Sequence, residues 1–218
     1  MGRVICNQAI SLDGFSAGAN QTLEEPLGEG GEHLHDWMFE TAAWARMQGQ
    51  AGGAETPDSA IVEEIASNPN VGAYIMGRHM FGGGEGPWDE SWRGWWGENP
   101  PYHRPVFVLT RHPRAPAPMD GGTTFYFVTD GAEAALAQAR QAAGDRDVQI
   151  SGGANTIQQY LRAGLLDELY LHVAPILLGK GERLLDGVGK PRLTPIEVVA
   201  SPTVTHIRYR VERELKAV

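Results

Sequence analysis

The chain has 218 residues, 42% of them hydrophobic and 21% charged, so it can bury a core without disulfides or a structural metal. Its 18 basic and 27 acidic side chains give a formal net charge of −9, which excludes a general binder of duplex nucleic acid. No apolar run nears the ~20 residues of a membrane span, and one cysteine allows neither an internal disulfide nor a cysteine-built zinc site.

Residues 3–10, with Val4, Ile5 and Cys6, predict a strand that stops at the turn Ser11-Leu12-Asp13-Gly14. Residues 16–32 are glycine-rich and polar and predict a mobile surface loop. Apolar residues at helical spacing predict a helix over 33–47, in which Trp37, Phe39 and Trp44 read as core. A second helix opens at Thr56-Pro57, a capping residue followed by a first-turn proline, with Ile61, Val62 and Ile65 on one face.

Strands and helices then alternate. Residues 73–76 and 106–109 predict strands, as do residues 124–128, followed by a helix over 132–143 that Asp130 and Glu133 cap and Gly144 closes. Residues 148–150 and 169–176 predict two more strands, with a helix over 155–163 between them. Continuous apolar strands followed by helices imply a buried, largely parallel sheet. Residues 196–200 and 203–211 predict an antiparallel hairpin; the second strand alternates, with Val204, His206, Arg208 and Arg210 on one face, and offers an open edge. No repeat or linker divides the chain, so a single domain over 1–218 is expected. The N-terminus lacks a signal-peptide layout, and Cys6 stands where myristoylation wants Ser or Thr, so a soluble cytoplasmic protein with no membrane partner is expected.

Ligands of parallel α/β sheets sit outside the carboxyl ends of the strands. Ser151-Gly152-Gly153-Ala154-Asn155 joins a strand to a helix, and its glycines let backbone N–H groups approach an anion; an ordinary tight turn reads equally well. Arg78, after the strand-ending Gly77, is a solvated cation or one partnered by an anionic ligand. Thr110-Arg111-His112 adds a hydroxyl and another cation at the same edge. Three such strand ends favour a dinucleotide site over any one of them taken alone.

In order, Ser11-Leu12-Asp13-Gly14, Met76-Gly77-Arg78, Val108-Leu109-Thr110-Arg111, Ser151-Gly152-Gly153 and Leu166-Asp167-Glu168-Leu169 resemble the dihydrofolate reductase-like superfamily, in particular the branch of the riboflavin-biosynthesis reductase domain. The resemblance covers about residues 3–213. It implies a three-layer α/β fold with a mostly parallel central sheet and an antiparallel C-terminal hairpin, NADPH as cofactor, and a homodimer. By the same resemblance Gly77 and Arg78 face the adenosine 2′-phosphate, and Thr110 and Arg111 border the adenosine. Gly152, Gly153, Ala154, Asn155 and Thr156 cradle the pyrophosphate, while Ala9 and Ile10 flank the nicotinamide. Asp13 is the candidate acid or substrate anchor, or else an Asx-turn residue capping its own loop. Asp36 and Glu40, one helical turn apart, and Trp37 are the candidates for substrate contact on the first helix. The zinc deaminase that accompanies some riboflavin reductases needs two cysteines, so that activity is not expected here.

Trp88, Trp92, Trp95 and Trp96 crowd the segment 82–105, which reads first as a cluster packing its loop onto the domain and second as a stacking surface for a planar ligand. His33-x-His35-Asp36 does not suit a metal, because helical residues two apart do not face each other. The expected activity is hydride transfer from NADPH to a pterin-like, aminopyrimidine-like or other planar heterocycle. The alternatives are a dinucleotide-binding protein without turnover and a reductase of secondary metabolism or detoxification.

Overall fold

The computed structural model describes residues 2–212; Met1 and residues 213–218, which the expected span of 1–218 includes, lie outside it. Strand β1 (Val4–Ser11) leads through the predicted turn into β2 (Phe15–Ala17). A 3-10 turn over Gly31–His35 runs into helix α1 (Asp36–Phe39), which is followed by α2 (Ala42–Met47) and α3 (Pro57–Ala66). Strand β3 (Val71–Gly77) passes into the single turn α4 (Arg78–Phe81). Strands β4 (Pro105–Leu109), β5 (Ala117–Pro118) and β6 (Thr124–Val128) precede α5 (Ala132–Ala143). Then come β7 (Asp147–Gly152), α6 (Ala154–Arg162), β8 (Glu168–Ala174), β9 (Glu182–Arg183), β10 (Arg192–Ala200) and β11 (Thr205–Glu212).

Nine strands form one sheet in the order β10-β11-β8-β1-β7-β3-β4-β6-β5, and β2 pairs with β9 apart from it. From β8 to β6 every pairing is parallel; β10, β11 and β5 join antiparallel. The expected α/β fold with a mostly parallel sheet and antiparallel C-terminal strands is the one observed. The main core lies where α5 and α6 set Leu136, Ala139, Ile157, Tyr160 and Leu161 against Val4, Ile75, Val148 and Ile150. A second cluster on the sheet joins Met76, Val106, Val108 and Phe125 to the tryptophan-rich segment. Among the described residues no helix is long and apolar enough to cross a membrane.

The structure corrects several local expectations. The helix expected over 33–47 is broken at Thr41, whose extended backbone bridges to Ala54 while its hydroxyl caps α2 by accepting from Trp44 N. Phe39 is therefore not core: it is 48% exposed and leans on Trp44. Residues 16 and 17, at the head of the expected loop, belong to strand β2, and Gly18 N–Leu27 O and Glu29 N–Ala19 O bonds close the loop behind them. Helix α5 starts at Gly131 with no side-chain cap, so Asp130 and Glu133 do not form the expected box. Strand β11 is not an edge; β10 covers it and is itself the open edge. His206, placed with the wetter face of β11, is wholly buried, because α3 and Trp37 cover that part of the sheet.

Candidate active site

The carboxyl ends of β1, β3, β4 and β7 open into one cavity of about 1040 Å³. It is bounded by glycines where backbone segments must meet closely. A Cβ on Gly77 would overlap Thr156 Oγ1, so a larger residue at the end of β3 would have to push that hydroxyl aside at the start of α6. Gly152 has φ +124°, a region that suits glycine alone, and the Gly152–Gly153 peptide bond is cis. Helix α6 then starts at Ala154 with no side chain capping it, anchored by buried Ile157, Tyr160 and Leu161, so its positive end borders the cavity. Ser151 Oγ, just before it, is buried without a partner.

Arg78 enters from β3. Its guanidinium lies 3.7 Å from the Trp88 ring centroid, and Nε donates to Gly84 O at 2.9 Å. Nη1 is buried with no partner. Burial, and then the nearby Arg114, lower the pKa of Arg78, the signature of a cation short of negative charge. Thr110 Oγ1 accepts from His112 N at 3.1 Å, and exposed Arg111 follows it on the cavity rim.

The rest of the lining is built from scattered elements. Asn7, Gln8 and Ala9 come from β1, His35, Trp37 and Met38 from the 3-10 turn and α1, and His172 from β8. Burial lowers the pKa of His35 and pushes that of His172 well below the histidine range. Trp37 fixes its indole by donating to Leu34 O at 3.1 Å.

The structure thus gathers Ala9, Gly77, Arg78, Thr110, Arg111, Gly152, Gly153, Ala154, Asn155, Thr156 and Trp37 around one cavity. Four sequence candidates lie elsewhere. Ile10 is buried as part of the main core. Asp36 and Glu40 are exposed, and Asp36 pairs with His33 at 2.9 Å. Asp13 does not line the cavity. Its carboxylate accepts from Ser11 Oγ at 2.6 Å, Gly179 N at 2.7 Å and Leu178 N at 3.1 Å, tying the first turn to the segment after β8. The Ser11 bond, ahead of the two backbone bonds, lowers its pKa, so Asp13 is ill suited to carry a proton near neutral pH. His33 and His35 diverge, the first to Asp36 and the second to the cavity. Among the described residues no His, Cys, Asp and Glu cluster could hold a metal ion.

The tryptophan-rich segment packs its loop onto the domain, as its first reading expects. Trp88 packs edge-on to Phe81 and Phe127, Trp92 donates to Phe81 O, and Trp96 stacks on Phe125, which holds the segment to the sheet. Trp95 and Trp96 also reach the cavity. Sequence reasoning missed Asn7, Gln8 and His172. A histidine inside the apolar run Leu169–Ala174 was the one available signal for His172, and nothing in the run says which way it points.

A mostly parallel α/β sheet with antiparallel C-terminal strands and a glycine-lined cleft at its carboxyl edge defines the dihydrofolate reductase-like class. The profile of the RibD C-terminal domain matches residues 3–207, and the chain belongs to that family. Solved structures share the fold. A protein ascribed to riboflavin biosynthesis in Shewanella sp. PV-4 superposes with a TM-score of 0.62 at 23% identity, over 97% of this chain and 99% of that one. The riboflavin biosynthesis reductase of Saccharomyces cerevisiae gives 0.54 at 13% identity, over 97% and 89%. The Thermotoga maritima diaminohydroxyphosphoribosylaminopyrimidine deaminase/5-amino-6-(5-phosphoribosylamino)uracil reductase gives 0.54 at 14%, over 96% of this chain and 56% of its own. No curated protein sequence matches the chain.

Proposed function

We propose that the protein is an NADPH-dependent reductase acting on a planar, aminopyrimidine-like or pterin-like heterocycle. The observation that carries this reading is the cavity in which the uncapped start of α6, the Gly152-Gly153 turn and Arg78, whose Nη1 lacks a partner, converge. Those features fit a dinucleotide. The α6 N-terminus and Ser151 hydroxyl suit its pyrophosphate, Arg78 suits a 2′-phosphate dianion, and Thr110 with Arg111 suits the adenosine. When bound, the cofactor supplies hydride.

The chain's own residues do the rest. Ala9 presents only a methyl group at the end of β1, leaving room for a flat ring against the sheet edge. Asn7 and Gln8 offer amide donors and acceptors to a heterocycle's polar edge, and Trp37 offers an apolar face. Trp95 and Trp96 border the same space and help exclude water from it. The test is a titration with NADPH and NADH followed by tryptophan fluorescence, then NADPH oxidation with aminopyrimidine, pterin and flavin-type acceptors. Tight NADPH binding with oxidation by one acceptor class supports the reading. Binding without oxidation by any would make the protein a dinucleotide sensor, and no binding would end the reductase reading.

A further inference from the structure

Three buried side chains run in a line from the cavity to α3. His172, 2% exposed, lines the cavity, and its Nδ1 lies 2.8 Å from Nδ1 of His206 on β11. His172 Nε2 is buried with no hydrogen-bond partner. His206 Nε2 in turn lies 3.1 Å from Asp58 Oδ1, and Thr203 Oγ1 donates to Asp58 Oδ2 at 3.2 Å. The register of the sheet makes this line. His172 sits opposite His206 in the β8–β11 ladder and opposite Ala9 in the β8–β1 ladder, so the imidazole stands beside the strand expected to flank the nicotinamide.

The hydrogen-bonding inventory dictates how protons sit in this chain. A buried carboxylate needs partners, so Asp58 accepts from His206 Nε2–H. In the uncharged pair His206 Nδ1 then carries only a lone pair. His172 must donate to it from Nδ1, which leaves Nε2 an acceptor. Adding one proton reverses the middle bond. His206, charged beside Asp58, donates from Nδ1 to Nδ1 of His172, and His172 now holds its proton on Nε2. A charge held at the buried end thus becomes a donor at the cavity end.

We propose that Asp58, His206 and His172 form a proton relay whose outlet, His172 Nε2, protonates the substrate during its reduction. This rests on the reductase reading above. As hydride reaches the carbon of a C=N or C=O bond, the Nε2–H bond of His172 breaks and an N–H or O–H bond forms on the substrate. The Nδ1 proton of His206 passes to Nδ1 of His172. The pair ends neutral, its positive charge balanced by the oxidised nicotinamide, and a solvent proton reloads it. On this proposal a substrate seated in the cavity becomes the partner that buried His172 Nε2 lacks, and His206 and Asp58 act through His172.

The groups around the pair set its range. Burial disfavours charge on both rings. His35 and Arg208 also oppose charge on His172, while Asp58 and Glu197 favour it on His206. Tyr170 and Trp37 flank the rings without charge, and Glu64 is occupied by Arg208. The loaded pair is therefore a stronger acid than free imidazole, and its loaded fraction falls as pH rises, starting below the usual histidine range.

Nitrogen-15 NMR of histidine-labelled full chain tests this without turnover, so its failure counts against the relay and not against cofactor binding. At pH 8 the expected state is the uncommon Nδ1–H tautomer for His172 and Nε2–H for His206, with His172→Gln used for assignment. Lowering the pH should add one proton to the pair and bring a proton to His172 Nε2. The Nε2–H tautomer of His172 at pH 8, or two histidines titrating independently near 6.5, would overturn the relay. With an accepted substrate, His172→Gln should slow the hydride step about 10²–10⁴-fold. It should also abolish the rise in rate toward low pH and leave the NADPH Kd unchanged. A slowed variant that keeps the parent pH profile would make His172 structural and overturn the proposal.

Discussion

Replacing Arg78 with alanine asks whether the cleft distinguishes NADPH from NADH. The two cofactors differ by one phosphate, so discrimination must come from groups that meet that dianion. In Arg78, Nε is committed to Gly84 O and one face of the guanidinium is covered by Trp88, which leaves buried Nη1 without a partner. A charge-assisted bond from such a donor is worth about 1.5–3 kcal/mol, or about 10- to 150-fold in affinity. Arg78→Ala should weaken NADPH by that factor and leave NADH almost unchanged. Arg78→Lys should recover only part of the loss, because an ammonium cannot keep the stacked fork. Because the 2′-phosphate is remote from the reacting carbon, the rate at saturating cofactor should hold. The assay is paired titration with both cofactors, read by nicotinamide fluorescence. Equal losses for NADPH and NADH would refute the assignment and reduce Arg78 to a brace for the segment 82–88.

Gly152→Ala forces a side chain into φ +124° and should cost about 1–3 kcal/mol of stability, read as a lower urea midpoint with an unchanged slope; an unaltered midpoint would contradict the strain. Asp13→Asn loses one of the two oxygens that accept from Ser11 and Leu178 (Oδ1) and from Gly179 (Oδ2), and should raise the substrate KM while the pH profile stays as in the parent; loss of the pH dependence instead would restore Asp13 as the acid. His172 and His206 have folded pKa values lowered from 6.5, so the folded state binds fewer protons than the unfolded one, and stability is complete above about 6.5 and declines as pH falls. The melting temperature should drop between pH 7 and 5, less steeply in His172→Gln, and a flat or rising profile would count against the burial of these rings. The expected homodimer should form through the open edge of β10, where Ile196 is 41% and Val198 61% exposed; Val198→Glu should halve the mass seen by light scattering, and a monomeric parent at micromolar concentration would refute the dimer.

The parallel strands were legible because each is a short apolar run ended by a turn residue, and burial on both faces demands that pattern. The helix break at Thr41 was not, because the helical spacing of Leu34, Trp37, Met38 and Ala42 continues across it. The competing term is a backbone bridge to Ala54, thirteen residues on, which no local pattern encodes. The edge position was misjudged for a related reason. Alternation tells which residues of β11 share a face, but whether β10 lies outside it or across the sheet depends on strand order. His206 shows the same limit. On alternation alone it belongs with two arginines, and only the helix α3 placed over it makes it a buried residue.

The two halves of the cavity differ in how they are built, and that difference explains what the sequence could say about each. The part proposed to take the dinucleotide is made largely of backbone: glycines that allow close approach, a helix start, and one arginine directly after a strand. Such features are contiguous in the chain, so Gly77-Arg78 and Ser151-Gly152-Gly153 announce themselves as motifs. The substrate half is made of side chains from β1, β8 and α1, with β11 and α3 behind them. Its chemistry exists only once the register sets His172 beside both Ala9 and His206. On the proposed reading, substrate choice rests on single residues whose partners lie as far off as the 148 positions separating Asp58 from His206. A variant changed at Asn7, Gln8 or His35 alone can thus redirect the acceptor while every cofactor motif stays in place.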